Sequence, residues 1–148
     1  MKNKYVITDP CYLIDDDALW YTLVKDWDNA TVNLAEHLTK KTGEKAYAAS
    51  TGFGDWSNAL CGDNYEKSFG ADAGLVCVCR YTEQIDEELG LIYPGCYAVF
   101  EAEGPLNVMF NFDDPSWTEI YIEDAAGNKW STLPSEEVDD SEFYTEDL

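Results

Sequence analysis

The groups able to do chemistry in this chain are thirty carboxylates, five cysteines and one histidine. A nucleophilic Cys–His pair would have to use His37. That residue stands among Ala35, Glu36, Leu38 and nearby lysines, on what the spacing makes the solvent side of a short helix, and no local motif surrounds any cysteine. Cys77-Val78-Cys79 has the wrong spacing for a zinc knuckle, and no second pair follows it. Asp113-Asp114, Asp15-Asp16-Asp17 and Asp139-Asp140 carry the hard oxygens that suit calcium, but none shows the alternating order of the helix-loop-helix calcium site. Gly52-x-Gly54 lacks the third glycine, the base and the following helix of a phosphate-cradling loop. Capping and turn roles explain the first two of these aspartate clusters equally well, so calcium stays an open alternative, and no catalytic residue, dedicated metal site or cofactor is expected.

Asp9, Asp55 and Asp72 form the most interesting trio, because each falls at a strand end or in a loop. If those ends converge with Tyr12 and Trp56, they make a polar-lipped aromatic pocket for a small ligand. Acid–base hydrolysis by the same trio is a weaker variant of that idea. Turn formation competes with both: Asp9 precedes Pro10 and Asp72 lies between glycines, where aspartate caps local backbone N–H groups. Turn formation is the favoured account.

Charge is the outlier. Residues 1–74 hold 12 acids and 7 bases, and residues 75–148 hold 18 acids against Arg80 and Lys129, so the halves carry −5 and −16 of a total −21. Such a balance opposes direct binding to nucleic acid or anionic membrane and favours a basic partner. Solubility is the plainer use of the same charge.

These groups need a scaffold, and 148 residues with 45% hydrophobic content suffice for one folded domain. The organising stretch is Gly70–Arg80, an apolar run with Val76 and Val78 on one face and Leu75, Cys77 and Cys79 on the other. Both faces need cover, so this strand belongs in the middle of a sheet. Its paired cysteines are expected to be reduced core thiols. Lys4–Thr8 reads as a first strand ended by Asp9-Pro10. Asp15-Asp16-Asp17 then caps a helix whose Leu19, Trp20, Leu23, Val24 and Trp27 give an apolar face, the candidate cover for the sheet. Thr31–Thr42 fits a second helix ending at Gly43, with a strand at 31–35 competing, and Lys45–Ser50 reads as a strand.

Thr51–Asn58 reads as a glycine-rich loop, with turns continuing to Gly70, and Thr82–Leu89 as an acidic turn or single helical turn. An antiparallel meander follows: Cys96–Glu101, a turn at Gly104-Pro105, the alternation of Val108, Phe110 and Phe112, a turn at Asp113–Ser116, and Trp117–Asp124 with Ile120 and Ile122 inward. A turn at Ala126–Asn128 leads into Lys129–Leu133. Seven acids and no base after Pro134 mark a mobile tail, so the expected organisation is an α+β domain over 1–134 and an acidic tail over 135–148. The domain should be a mainly antiparallel twisted sheet with one or two N-terminal helices packed on it.

Asp9-Pro10-Cys11-Tyr12 after a first strand, with Trp20 in the acidic helix beyond, resembles short uncharacterised proteins carried by bacteriophages. The strand entry Gly70-x-Asp72-Ala73-Gly74-Leu75 is similar to a motif in those proteins and in a wider bacterial domain of unknown function. The resemblance implies a phage or mobile-element origin and a cytoplasmic setting, and supplies no activity.

One flank is expected to combine Glu83, Asp86, Glu87, Glu88, Asp113, Asp114, Glu119 and Glu123 with Trp117 and Tyr121. A negative field with aromatic anchors can occupy a basic groove as nucleic acid would. The expected function is thus a non-enzymatic phage inhibitor of a basic, nucleic-acid-handling host defence protein of CRISPR or restriction type. The alternative is a small-ligand binder sequestering a defence signal nucleotide through Asp9, Tyr12, Asp55, Trp56 and Asp72.

Overall fold

The computed structural model describes residues 2–51, 56–71, 74–111 and 119–132, apart from the Trp56 side chain. The expected turn at 113–116, Phe112, Trp117 and the tail 135–148 lie outside the described residues. The chain is α+β with antiparallel sheets, and its described strands divide between two of them. In the first sheet, β2 (Tyr47–Ser50), β5 (Leu75–Arg80), β1 (Asn3–Thr8) and β6 (Tyr97–Ala102) lie side by side in that order. The second has the order β4 (Tyr65–Ala71), β3 (Trp56–Gly62), β9 (Lys129–Thr132), β8 (Glu119–Glu123) and β7 (Asn107–Asn111).

Two-residue periodicity sorts the strand side chains into layers. From the first sheet, Tyr5, Ile7, Val76, Val78 and Phe100 meet Leu60, Phe69, Ile120, Ile122 and Trp130 of the second, forming the main core. On the other face of the first sheet, Val6, Cys77 and Cys79 pack against Leu13, Leu38, Ile85 and Leu89. The stack is therefore helices, first sheet, second sheet. β5 sits between β2 and β1 with Leu75 to Cys79 all buried, as its unbroken apolar run requires.

The helix that covers the sheet is α2 (Ala30–Thr42), not the first helix. Leu34 and Leu38, one turn apart, are fully buried, and Gly43 ends the helix in the left-handed region at φ 83°. The helix α1 (Asp17–Val24) is capped by Asp16, whose carboxylate accepts from the N–H groups of Ala18 and Leu19. None of its residues is buried, Leu19, Trp20, Leu23 and Val24 pack only at the margin around Ile14, Leu34 and Leu75, and Trp27 beyond it is exposed. Eight residues are too few to span the sheet, which leaves that role to the longer helix. The acidic segment forms a third helix, α3 (Glu83–Leu89), anchored by Ile85 and Leu89 and capped by Thr82.

Two further expectations are corrected. The stretch 56–71 is a hairpin, β3–β4, turned at Asp63-Asn64 with Asn64 at φ 56°, rather than continuous loop. β6 does not open the meander: it pairs with β1 across the first sheet, and only β7, β8 and β9 run consecutively in the second. No helix among the described residues is long and apolar enough to cross a membrane.

Candidate functional site

The acids expected to share one flank sit in opposite layers. Glu83, Asp86 and Glu87 are exposed on α3, in the helical layer. Glu119, Tyr121 and Glu123 project from the outer face of the second sheet, because Ile120 and Ile122 between them take the core side. Glu88 leaves the proposed surface altogether. It lies 2.6 Å from the Lys41 ammonium, with both side chains only 10% exposed, and Lys41 also donates to the Leu13 carbonyl. Asp113, Asp114 and Trp117 lie outside the described residues.

What remains on the outer sheet face is compact. Tyr121 pairs in register with Met109 of β7, and the two are 42% and 59% exposed, well above what a sheet residue covered by a neighbour would show. The Tyr121 hydroxyl donates to Glu119 at 3.1 Å, and the Asn111 amide donates to the same carboxylate oxygen at 3.0 Å. A shallow groove of about 370 Å³ runs beside the pair, bordered by Asn107, Glu123 and Ser131. The apolar–aromatic pair is thus flanked by Glu119 and Glu123, with Lys129 also bordering the groove, an arrangement that suits a macromolecular contact.

Of the aspartate trio, only Asp9 lies among the described residues. Asp9 is fully buried and accepts from the Cys11 N–H at 2.8 Å, capping the short turn Pro10–Leu13. Tyr12 packs with the core beneath the helices. Asp55, Asp72 and the Trp56 side chain lie outside the description.

His37 is half-buried rather than on open solvent. Burial, then the nearby Lys41 ammonium, hold its pKa below the ordinary value, opposed by Glu88 and assisted by Lys40. Cys77 is buried in the first sheet, and burial pushes its thiol well up, with Cys79 adding to the effect, which disfavours the thiolate there. None of the five cysteines is in a disulfide. No group of three metal-ligating side chains occurs among the described residues.

One feature escaped the linear sequence. A cleft of about 820 Å³ crosses the free edge of β6, between the helical layer and the turns of the second sheet, and Lys2, Lys4, Lys67 and Lys129 all line it. These are four of the nine bases in the chain. The ion pairs among the described residues use Lys41 and Arg80, leaving the four cleft lysines with no carboxylate within 4.0 Å. The lysines come from β1 and the residue before it, β4 and β9, so no local motif announces them. Lys2 and Lys4, two residues apart on one strand face, are the only sequence hint.

No family model, no curated protein and no solved structure matches the chain.

Proposed function

We propose that the protein is a non-enzymatic binding protein that docks a basic partner against the outer face of the second sheet. The observation carrying this is the exposed Tyr121–Met109 pair between Glu119 and Glu123, on a chain of net charge −21. Aromatic and methionine side chains supply contact area that loses water on binding, and the surrounding acids steer a basic surface toward it. The class of protein with such a surface is one that handles nucleic acid, and a host defence nuclease is the leading candidate if the resemblance of the Asp9–Tyr12 and Gly70–Leu75 motifs to phage proteins reflects origin. The acids of α3 add to the long-range field without entering the contact, since they face the other way.

Purified defence nucleases, each with and without its nucleic acid, are the direct test. One should bind the protein at low salt, lose most of that binding at high salt, and compete with its DNA or RNA for it. Tyr121→Ala should weaken that complex by about tenfold or more if the tyrosine is an anchor. Binding that ignores both salt and Tyr121→Ala would exclude this face as the contact.

A further inference from the structure

The lysine cleft is chemically unlike the rest of the surface. Lys2, Lys4, Lys67 and Lys129, four of the nine bases, line one concavity, and none of them makes an ion pair among the described residues. The acids lining it are Asp63, Asp86 and Glu101, so the lining is net positive by one charge. Asp86 is also engaged, since it accepts a hydrogen bond from the Tyr81 hydroxyl. An isolated positive concavity in a strongly negative protein is an anion site with a size limit. A long polyanion would meet the repulsion of the whole molecule, whereas a ligand with one or a few phosphates feels mainly the local lysines.

The walls supply the second half of the recognition. Tyr65 and Tyr97 are half-buried in the lining, and the Tyr65 hydroxyl donates to the Val99 carbonyl at 2.8 Å, which fixes that ring against the otherwise open edge of β6. Lys67 stands 5.9 Å from the centroid of the same ring. Phe100 and Trp130 close the floor. The exposed Asn64, on one of the two turns flanking the cleft, offers a paired donor and acceptor, while the amide nitrogen of Asn128 on the other turn already donates to Asp124. Ammonium groups for phosphate, ring faces for stacking and amides for a heteroatom edge are the three contacts a nucleotide requires. The volume lies within the ordinary range for small-ligand sites, roughly 300–1,000 Å³.

We propose that this cleft is a binding site for a mono- or dinucleotide, held by Lys2, Lys4, Lys67 and Lys129 with its base against Tyr65 and Tyr97. The site adjoins the partner face, sharing Lys129 and Trp130 with the groove beside Tyr121, but Tyr121 itself does not line it.

Calorimetric titration of the whole chain with adenosine monophosphate, 5′-phosphorylated diadenylate, adenosine and inorganic phosphate tests the assignment. At least one of the two nucleotides should bind, with adenosine and inorganic phosphate each about tenfold weaker or worse, because each lacks half of the contacts. Lys67→Gln and Lys129→Gln should each lower nucleotide affinity about tenfold. Lys25→Gln, outside the cleft, should leave it unchanged. The lysines are exposed, so the variants fold, and a circular dichroism melt confirms it. Absence of heat with both nucleotides, phosphate binding as tightly as adenosine monophosphate, or indifference to both lysine variants would each overturn the site.

Discussion

Lys41 of α2 and Glu88 of α3 meet at 2.6 Å, and through them the two helices that roof the first sheet are joined. Lys41 also reaches the Leu13 carbonyl, so one ammonium ties three segments together. The other oxygen of Glu88 is buried with no hydrogen-bond partner among the described residues. Breaking such a pair from one side strands a charge in a poorly hydrated site. Lys41→Met should therefore cost about 3 kcal/mol in urea unfolding. Adding Glu88→Leu should recover a large part of that loss, since the double variant leaves no orphan charge; equal stability of single and double variants would contradict this.

The two faces of β8 should respond oppositely to truncation. Ile122 is 1% exposed in the main core, so Ile122→Ala should destabilise by about 2–5 kcal/mol. Tyr121, its neighbour on the outer face, should give less than about 1 kcal/mol when replaced by alanine. Chemical denaturation of the two variants side by side decides whether the outer face is free of a covering layer.

Asp124 governs the β8–β9 turn. Its buried carboxylate accepts from the N–H groups of Glu103, Ala126 and Asn128 and from the Asn128 side chain, at 2.8–3.1 Å. Burial alone would raise its pKa, but these four donors outweigh burial and hold it below the ordinary 3.8. A depressed carboxylate stabilises the fold above its unfolded pKa, and that contribution is lost as pH falls through the lower folded value. Asp124→Asn should thus lower stability at neutral pH by about 1–3 kcal/mol and flatten the acid limb of the stability–pH curve below about pH 4. An acid limb identical to that of the unmodified chain would argue against this role.

Thiol reactivity should follow depth. Cys77 and Cys79 are buried in the first sheet, whereas Cys11, Cys61 and Cys96 are half-buried. Brief treatment with a maleimide under native conditions should modify only residues from the second group, and all five should react in denaturant. Early modification of Cys77, read by peptide mapping, would mean that β5 opens far more readily than its position between β2 and β1 implies.

The central strand was legible because its signal is local: Leu75–Cys79 is apolar on both faces, and only a doubly covered strand needs that. Asp16 and Gly43 were equally readable, since cap chemistry acts within a few residues. The hairpin at 56–71 was not. Gly62 and Gly70 read as turn punctuation, and β4 exposes Glu66, Lys67 and Ser68 in succession, so the inward Leu60 and Phe69 were too sparse to show a period of two. The helices misled in another way. The first has the more apolar composition, but coverage depends on length and on where the connection leads, and Leu34 and Leu38 suffice to seat α2. The division of acids between layers, and the gathering of four lysines at one edge, are decided by which strands become neighbours, information that sequence spacing does not carry.

The pairing of the first sheet also has a bearing on how the molecule is made. Tyr5 finds its ladder partners at Arg80 and Phe100, and Tyr47 pairs with Val78. While the ribosome is still working through the middle of the chain, β1 has no ladder partner to zip against, because β2 pairs with β5 and not with it. Its Tyr5–Thr8 stretch must wait until β5 emerges, and that interval is when a chaperone, or another copy of the same nascent segment, has its opportunity.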